Sequence, residues 1–288
     1  MKVLLTGSAG FIGYHLAVKL LKNNFEVFGV DNLNDYYDPN LKKDRLSNLK
    51  SFQNFKFEKV DISKNKELTE VFKKFDPERV INLAAQPGVR YSLINPHAYM
   101  ESNLKGFLNI IELCRHSRVN GLIYASSSSV YGDNSSKPFK VKDRVDNPVS
   151  LYGATKRANE LIARTYSHLY GLNTTGLRYF TVYGPWYRPD MAMHIFAKKI
   201  LNKKSIQVFN NGDMKRDFTY IDDIVQGTFA ALVNNYKCEI FNLGNNKSEN
   251  LMDVIKYIEQ NLDETAVIDF QPIQPGDVIE TYADIDYS

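Results

Sequence analysis

Tyr152 and Lys156 are the only tyrosine and lysine in this chain that stand four residues apart in that order, and on a helix both would project from one face. An ammonium beside a phenol lowers the phenol's pKa and prepares it as a general base. Such a pair arises easily by chance, so its surroundings decide its meaning. A hydroxyl-rich run, Ser126–Ser129, closes the apolar run that precedes it. Ligands of open parallel sheets bind at the carboxyl ends of the strands, so a serine there would share a proton with Tyr152 across a substrate hydroxyl.

A second constellation lies at the start of the chain. Gly7, Gly10 and Gly13 fall between a strand pattern and a helix pattern, with Phe11 and Ile12 in the same turn. Glycines there permit a tight turn and let backbone amides and a helix N-terminus approach a pyrophosphate. Asp31, followed by Asn32, ends the next strand pattern, where a carboxylate would accept hydrogen bonds from an adenosine ribose. It would repel a 2′-phosphate, so NAD is expected over NADP. Asp61 and Ile62 follow the third strand, and Leu83, Ala84 and Ala85 the fourth; both sets suit the same crevice.

These residues need a scaffold. Strand patterns at Lys2–Thr6, Glu26–Asp31, Phe55–Val60, Arg79–Ala84, Gly121–Ser126, Thr174–Phe180 and Glu239–Leu243 alternate with helical ones, such as Ile12, Leu16 and Leu20. Near-continuous apolar strands alternating with helices indicate an α/β fold: a doubly wound parallel sheet covered on both faces, the Rossmann architecture. Past Gly184 breakers become frequent, and a smaller α/β substrate lobe is expected. The division expected is a dinucleotide-binding domain over 1–180 and about 218–245, interleaved with a lobe over 181–217 and 246–288.

Composition excludes several classes. The 288 residues are 43% hydrophobic and 24% charged, which rules out disorder and fibrous structure. A net charge of +3 carries no nucleic-acid signature. No apolar run approaches the roughly 18 residues of a membrane span. Two cysteines cannot make a disulfide framework and fit a reducing, cytoplasmic setting. The five histidines lack metal-ligand spacing, so no metal is expected.

The glycine triplet, Asp31, Leu83-Ala84-Ala85, Ser126–Gly132 and Tyr152–Lys156 together resemble the extended short-chain dehydrogenase/reductase superfamily, and within it the nucleotide-sugar 4-epimerases. The resemblance spans nearly the whole chain. It implies that Tyr152 removes the proton from the sugar 4-hydroxyl while NAD accepts the C4 hydride. Ser127 would bond the same oxygen, and Lys156 would hold the nicotinamide ribose. The 4-keto sugar then turns over and takes the hydride back, so NAD is a bound cofactor. The superfamily's 4,6-dehydratases carry Asp-Glu where Ser128 and Ser129 stand, and its decarboxylases a glutamate that this segment lacks. The epimerase-reductases need a Cys/His pair, but Cys114 falls on a helix pattern away from the strand ends. The resemblance further implies a homodimer through a four-helix bundle, built from helices around Ala98–Cys114 and Tyr152–His168.

The sugar is read from the second half. Arg178–Ala192 and Gln86–Ser92 look like segments of UDP-glucuronate 4-epimerases. Thr181 is usually Asn in galactose-type members. With Ser128 and Arg188 it would suit a C6 carboxylate. The alternative reading of Arg188 is a surface arginine after a turn, and Tyr187 stands where the family more often has Gly. Arg216 is expected on the diphosphate, Val208 at the uracil through its backbone, and Gln274 in a turn where galactose-type enzymes often have arginine. The expected reaction is UDP-glucuronate to UDP-galacturonate, in the making of a surface polysaccharide. The alternatives are a UDP-glucose or UDP-N-acetylhexosamine 4-epimerase, or a redox-inactive NAD-binding protein.

Overall fold

The computed structural model describes every residue from Met1 to Ser288. The first half runs β1 (Lys2–Thr6), α1 (Phe11–Lys22), β2 (Glu26–Asp31), α2 (Pro39–Leu49), β3 (Phe55–Lys59), α3 (Asn65–Phe75) and β4 (Arg79–Asn82). Two single-turn helices, α4 (Tyr91–Ile94) and α5 (Pro96–Tyr99), lead through a π-helical turn, Met100–Lys105, into α6 (Gly106–His116). Then come β5 (Leu122–Ser127), α7 (Leu151–Tyr170) and β6 (Thr174–Tyr179). The second half comprises β7 (Thr181–Tyr183), α8 (Ala192–Leu201), β8 (Ile206–Phe209), β9 (Lys215–Arg216), β10 (Phe218–Tyr220), α9 (Ile221–Asn234) and β11 (Cys238–Leu243). It ends with β12 (Glu249–Asn250), α10 (Leu251–Leu262), β13 (Ile268–Gln271) and β14 (Glu280–Thr281).

Seven strands form one parallel sheet in the order β11-β6-β5-β4-β1-β2-β3. The order reverses between β1 and β4, which opens a crevice at their carboxyl ends. Both faces are covered, as the apolar strands require. Leu16, Leu20, Ile224 and Leu232 of α1 and α9 pack on one face, and Leu68, Phe72, Ile110 and Ile111 of α3 and α6 on the other. α3 shows how little such a helix needs: Leu68, Val71, Phe72 and Phe75 make one buried stripe, and Asp76 ends it in the left-handed conformation. Burial of each such side chain contributes roughly 1.5–3 kcal/mol.

All seven expected strands are present, β1 and β2 with the expected bounds and the other five with one or both ends shifted by one or two residues. β4 stops at Asn82, two residues before the sequence pattern does, because a side chain takes over from the ladder: the Ala84 N–H donates to Thr6 Oγ1 (3.1 Å), which itself donates to Asn82 Oδ1 (2.6 Å). β5 runs on to Ser127, paired there with Tyr179 of β6. The later segments build a separate small core. β8 and β13 pair in parallel, and α8 and α10 bury Phe196, Ile200, Ile206, Val208 and Ile255 against them. β11, although late in the chain, returns to the edge of the large sheet beside β6. No helix is long and apolar enough to cross a membrane.

Candidate active site

A single cavity of about 420 Å3 runs from the glycine turn to the second-half loops. Gly7, Gly10, Phe11, Ile12 and Gly13 form one end of it. Their spacing has a packing reason. Gly7 has φ of +71°, and a Cβ on it would meet the Ala84 nitrogen at 2.7 Å; a Cβ on Gly13 would meet the Gly7 carbonyl at 2.1 Å. α1 starts at Gly10 with neither a side-chain cap nor an acidic residue in its first turn, which leaves its amides to an anion.

Asp31 at the end of β2 with Asn32 after it, Asp61 and Ile62 after β3, and Leu83, Ala84 and Ala85 after β4 continue the lining. Asp31 is buried and accepts from the amides of Leu33 (2.8 Å) and Ala9 (3.3 Å). Burial pushes its carboxyl up, against the opposing pull of Lys42 and those amides. Asn32 donates to Asp61 Oδ2 (2.9 Å), which ties two strand ends together. Lys42 also reaches this end, donating to the backbone and side-chain oxygens of Asn34 (2.9 and 2.6 Å). A backbone cradle closed to any side chain, a helix N-terminus without a cap and a buried ribose-side carboxylate together fit a dinucleotide.

The chemical group sits where β5 meets α7. Ser150 caps α7, accepting from the Gly153 N–H (3.1 Å), and so aims the first turn. Three α7 residues at four-residue intervals then grip three successive β5 residues. Tyr152 faces the Ser127 hydroxyl, Lys156 Nζ donates to the Ala125 carbonyl (2.8 Å), and Glu160 accepts from Ser126 Oγ (2.6 Å). Glu160 is held below its ordinary pKa: burial alone would raise it, but Arg178 bonds it through Nε and Nη2 (2.8 and 2.9 Å), aided by Ser126 and Arg157. A buried, fully bonded pair of this kind locks strand to helix. The π-helical turn adds a second lock. Buried Asn103 pairs with both backbone groups of Gln86 (2.8 and 3.1 Å) and donates to Thr155 Oγ1 (3.1 Å), between Tyr152 and Lys156.

The electrostatics differ from the sequence expectation. Burial pushes the Tyr152 phenol above its ordinary value, and the Ser127 hydroxyl and the Arg188 charge pull against it. Lys156 lies 5.9 Å over the Tyr152 ring, and burial brings its own pKa down to about 8. In this chain the two side chains are therefore both shifted by burial, with the arginine supplying the positive charge that acts on the phenol.

The sugar end is assembled from loops and short strands of the second half together with the turn after β5. Ser128, Thr181, Arg188 and Arg216 all line the cavity. Arg188 is not a surface residue after a turn: it bonds Asp190 through Nε (3.0 Å) and Nη2, and Asp190 accepts from Tyr36 (3.2 Å). Arg216 spends Nη1 on the carbonyls of Lys215 and Ile279 (2.8 and 2.9 Å), and burial lowers its pKa. Two expected residues are not brought to the cavity. Val208 is not among the lining residues: its side chain is buried in the small core and its strand pairs with β13, so only its backbone is left for the expected contact. Gln274 stays outside too; the turn after it delivers Gly276, Asp277 and Val278 instead, closed by the Asp277 N–H on the Gln274 carbonyl (3.1 Å).

Several lining or supporting residues escaped the sequence reading: Tyr36, Lys42, Asn103, Glu160 and Asp190. Glu160 had a signal, since it continues the four-residue spacing of Tyr152 and Lys156. Lys42 lies on α2, while Tyr36, Asn103 and Asp190 sit in turns, each with a partner far away in sequence.

Residues 3–244 match the NAD dependent epimerase/dehydratase family. The chain belongs to this family. As a member it is an NAD-dependent enzyme, and its relatives agree with the geometry. The chain is 51% identical to Protein CapI of Staphylococcus aureus, over 99% of this chain and 91% of that protein. It is 46% identical to a UDP-glucuronate 4-epimerase of Thermodesulfobacterium geofontis, over 98% of this chain and 87% of that protein. Among solved structures it resembles the UDP-glucuronic acid 4-epimerase of Bacillus cereus in complex with UDP-glucuronic acid and NAD. That match has a TM-score of 0.93 at 36% identity, covering 100% of this chain and 91% of the other.

Proposed function

We propose that this epimerase interconverts UDP-glucuronate and UDP-galacturonate. The observation that carries the reading is Arg188: it lines the same cavity as Tyr152, and only its Nε and Nη2 edge is taken by Asp190. A guanidinium presents two forked edges, so the other remains for a sugar carboxylate. Ser128 and Thr181 offer hydroxyls to the same group. The similarity to UDP-glucuronate 4-epimerases supports the same substrate.

In this reading Tyr152 takes the proton from the 4-hydroxyl and returns it after the hexose has turned over, and Ser127 bonds the same oxygen. Lys156, the glycine turn with Phe11 and Ile12, Asp31, Asn32, Asp61, Ile62 and Leu83–Ala85 hold NAD. When bound, NAD supplies the acceptor and donor of the C4 hydride. Arg216 grips the diphosphate, and the segments 181–217 and 246–288 act as the nucleotide-sugar lobe. Met100, Leu108, Leu161 and Leu169, exposed along the π-helical turn, α6 and α7, support a homodimer through those helices. Two free cysteines suit a cytoplasmic enzyme feeding polysaccharide synthesis.

One observation favours a neutral hexose: the Arg188–Asp190 pair leaves this corner without net charge. Arg188→Ala separates the two readings. It should raise KM for UDP-glucuronate by about tenfold or more, the scale of a lost charge-assisted contact, and spare UDP-glucose binding. Equal loss for both sugars would assign Arg188 to the nucleotide or to folding.

A further inference from the structure

We propose that Tyr36 and Asp190 are positioning residues for Arg188, fixing which edge of its guanidinium meets the sugar and so setting the preference for an acid. The inference rests on Arg188 as the carboxylate ligand and adds what holds it.

Asp190 and Arg188 are two residues apart, separated by Pro189, so a short stiff loop brings a carboxylate back onto its own neighbour. Asp190 Oδ1 accepts from Nε (3.0 Å) and Oδ2 accepts from Nη2. Nη1 has no hydrogen-bond partner in the chain, and the edge it shares with Nη2 is the one left for a ligand. Without Asp190 a long arginine side chain has many rotamers, and each unpaired one leaves a charge poorly solvated.

Tyr36 fixes the clamp from outside. Its hydroxyl donates to Asp190 Oδ2 (3.2 Å) across 154 residues of sequence. Tyr36 is itself confined: its ring packs on Tyr91 with centroids 4.9 Å apart, and its hydroxyl occupies the space beside Gly88, where a Cβ would come within 2.8 Å of it. Gly88 has φ of +94°, so both its conformation and the room it leaves favour glycine. The hydroxyl is kept protonated, because burial and the Asp190 charge push its pKa up to about 12.

Tyr36 lies in the loop that leaves β2 just after Asp31, at the dinucleotide end. The same region reaches the Arg188 segment twice more. Arg45 of α2 donates to the Ala9 carbonyl of the glycine turn (2.9 Å) and to the Trp186 carbonyl (2.5 Å), and Tyr187 sets its ring edge-on to Phe11 with centroids 5.2 Å apart. The residue that reads the sugar is thus aimed by the walls that hold the cofactor.

The test is a double-mutant cycle on the NAD-loaded enzyme. Tyr36→Phe removes one hydroxyl and keeps the ring, so it carries the test even if Asp190→Asn fails to fold. Tyr36→Phe should raise KM for UDP-glucuronate about three- to tenfold and Asp190→Asn more, while the Kd of UDP, which lacks the acid, shifts less than twofold. In the background of Arg188→Ala, adding Tyr36→Phe should cost nothing further. Tyr36→Phe with an unchanged KM, or a loss that adds fully to that of Arg188→Ala, would overturn the proposal while leaving Arg188 as the carboxylate ligand. An Arg188→Ala enzyme with unchanged KM would overturn both.

Discussion

The dinucleotide end of the cavity and its sugar end are built by different means. The first is made of strand ends and one helix start in a single parallel sheet, where β1 through β5 deliver Gly7, Asp31, Asp61, Ala84 and Ser127 to one edge. The second is made of loops and short strands outside the large sheet, where Arg188, Arg216 and Asp277 arrive from three separate segments and are fixed by partners such as Asp190 and Ile279. A sheet converts sequence spacing into position by its register, whereas a loop converts it only through contacts that the local sequence does not contain. The sheet end can therefore hold one ligand over the whole cycle, and the loop end can change grip on a hexose that must turn over.

Tyr152 lies at the seam of the two ends, and its loss should have the largest effect. Tyr152→Phe removes the proposed general base and should lower kcat by about 10²–10⁴-fold. NAD content, read after denaturing the purified enzyme, should stay unchanged. Loss of NAD together with activity would mean that the seam also holds the cofactor, and the contrast between the ends would blur.

Lys156 belongs to the sheet end and should show a stability cost of catalysis. Its folded pKa of about 8 lies below the ordinary 10.5, so the folded state binds that proton more weakly than the unfolded chain does. The cost of burying the charge is present below about pH 8 and fades as pH rises from there towards 10.5. Lys156→Met should therefore stabilise the fold by roughly 1–3 kcal/mol at pH 7, and by less at higher pH. Part of the gain is offset because the Ala125 carbonyl loses its donor. Denaturant unfolding at the two pH values measures it; a Lys156→Met protein that is less stable at pH 7 would show that the lysine holds the strand rather than straining it.

The smallest effect is expected at the loop end, where the sequence pointed at the wrong side of a turn. Gln274→Ala should change KM for UDP-glucuronate less than twofold, since the turn lines the cavity with Gly276–Val278 and not with Gln274. A tenfold rise would mean that the loop closes further over the nucleotide than it does here.

How legible each part was follows the same division. All seven strands of the large sheet could be read from their apolar runs, and the residues expected at the cofactor from their places after strands, all of which line the cavity. β4 ended early because Thr6, on a neighbouring strand, supplies a side-chain bond that no local pattern announces. Val208 sends its side chain into the small core, a partner that its own strand pattern does not announce. Tyr36 was invisible because its meaning lies in Asp190, 154 residues away. The lowering of the Tyr152 pKa by Lys156 was a fair rule for a close pair, but burial outweighs it, and Arg188 is the charge that acts on the phenol.

The central claim is that this family member epimerises the acid sugar. Incubating the purified protein with UDP-glucuronate and NAD, and separating the products by chromatography, tests it directly. The account predicts UDP-galacturonate accumulating to an equilibrium mixture without net reduction of NAD. No conversion of UDP-glucuronate, with UDP-glucose converted to UDP-galactose instead, would contradict it.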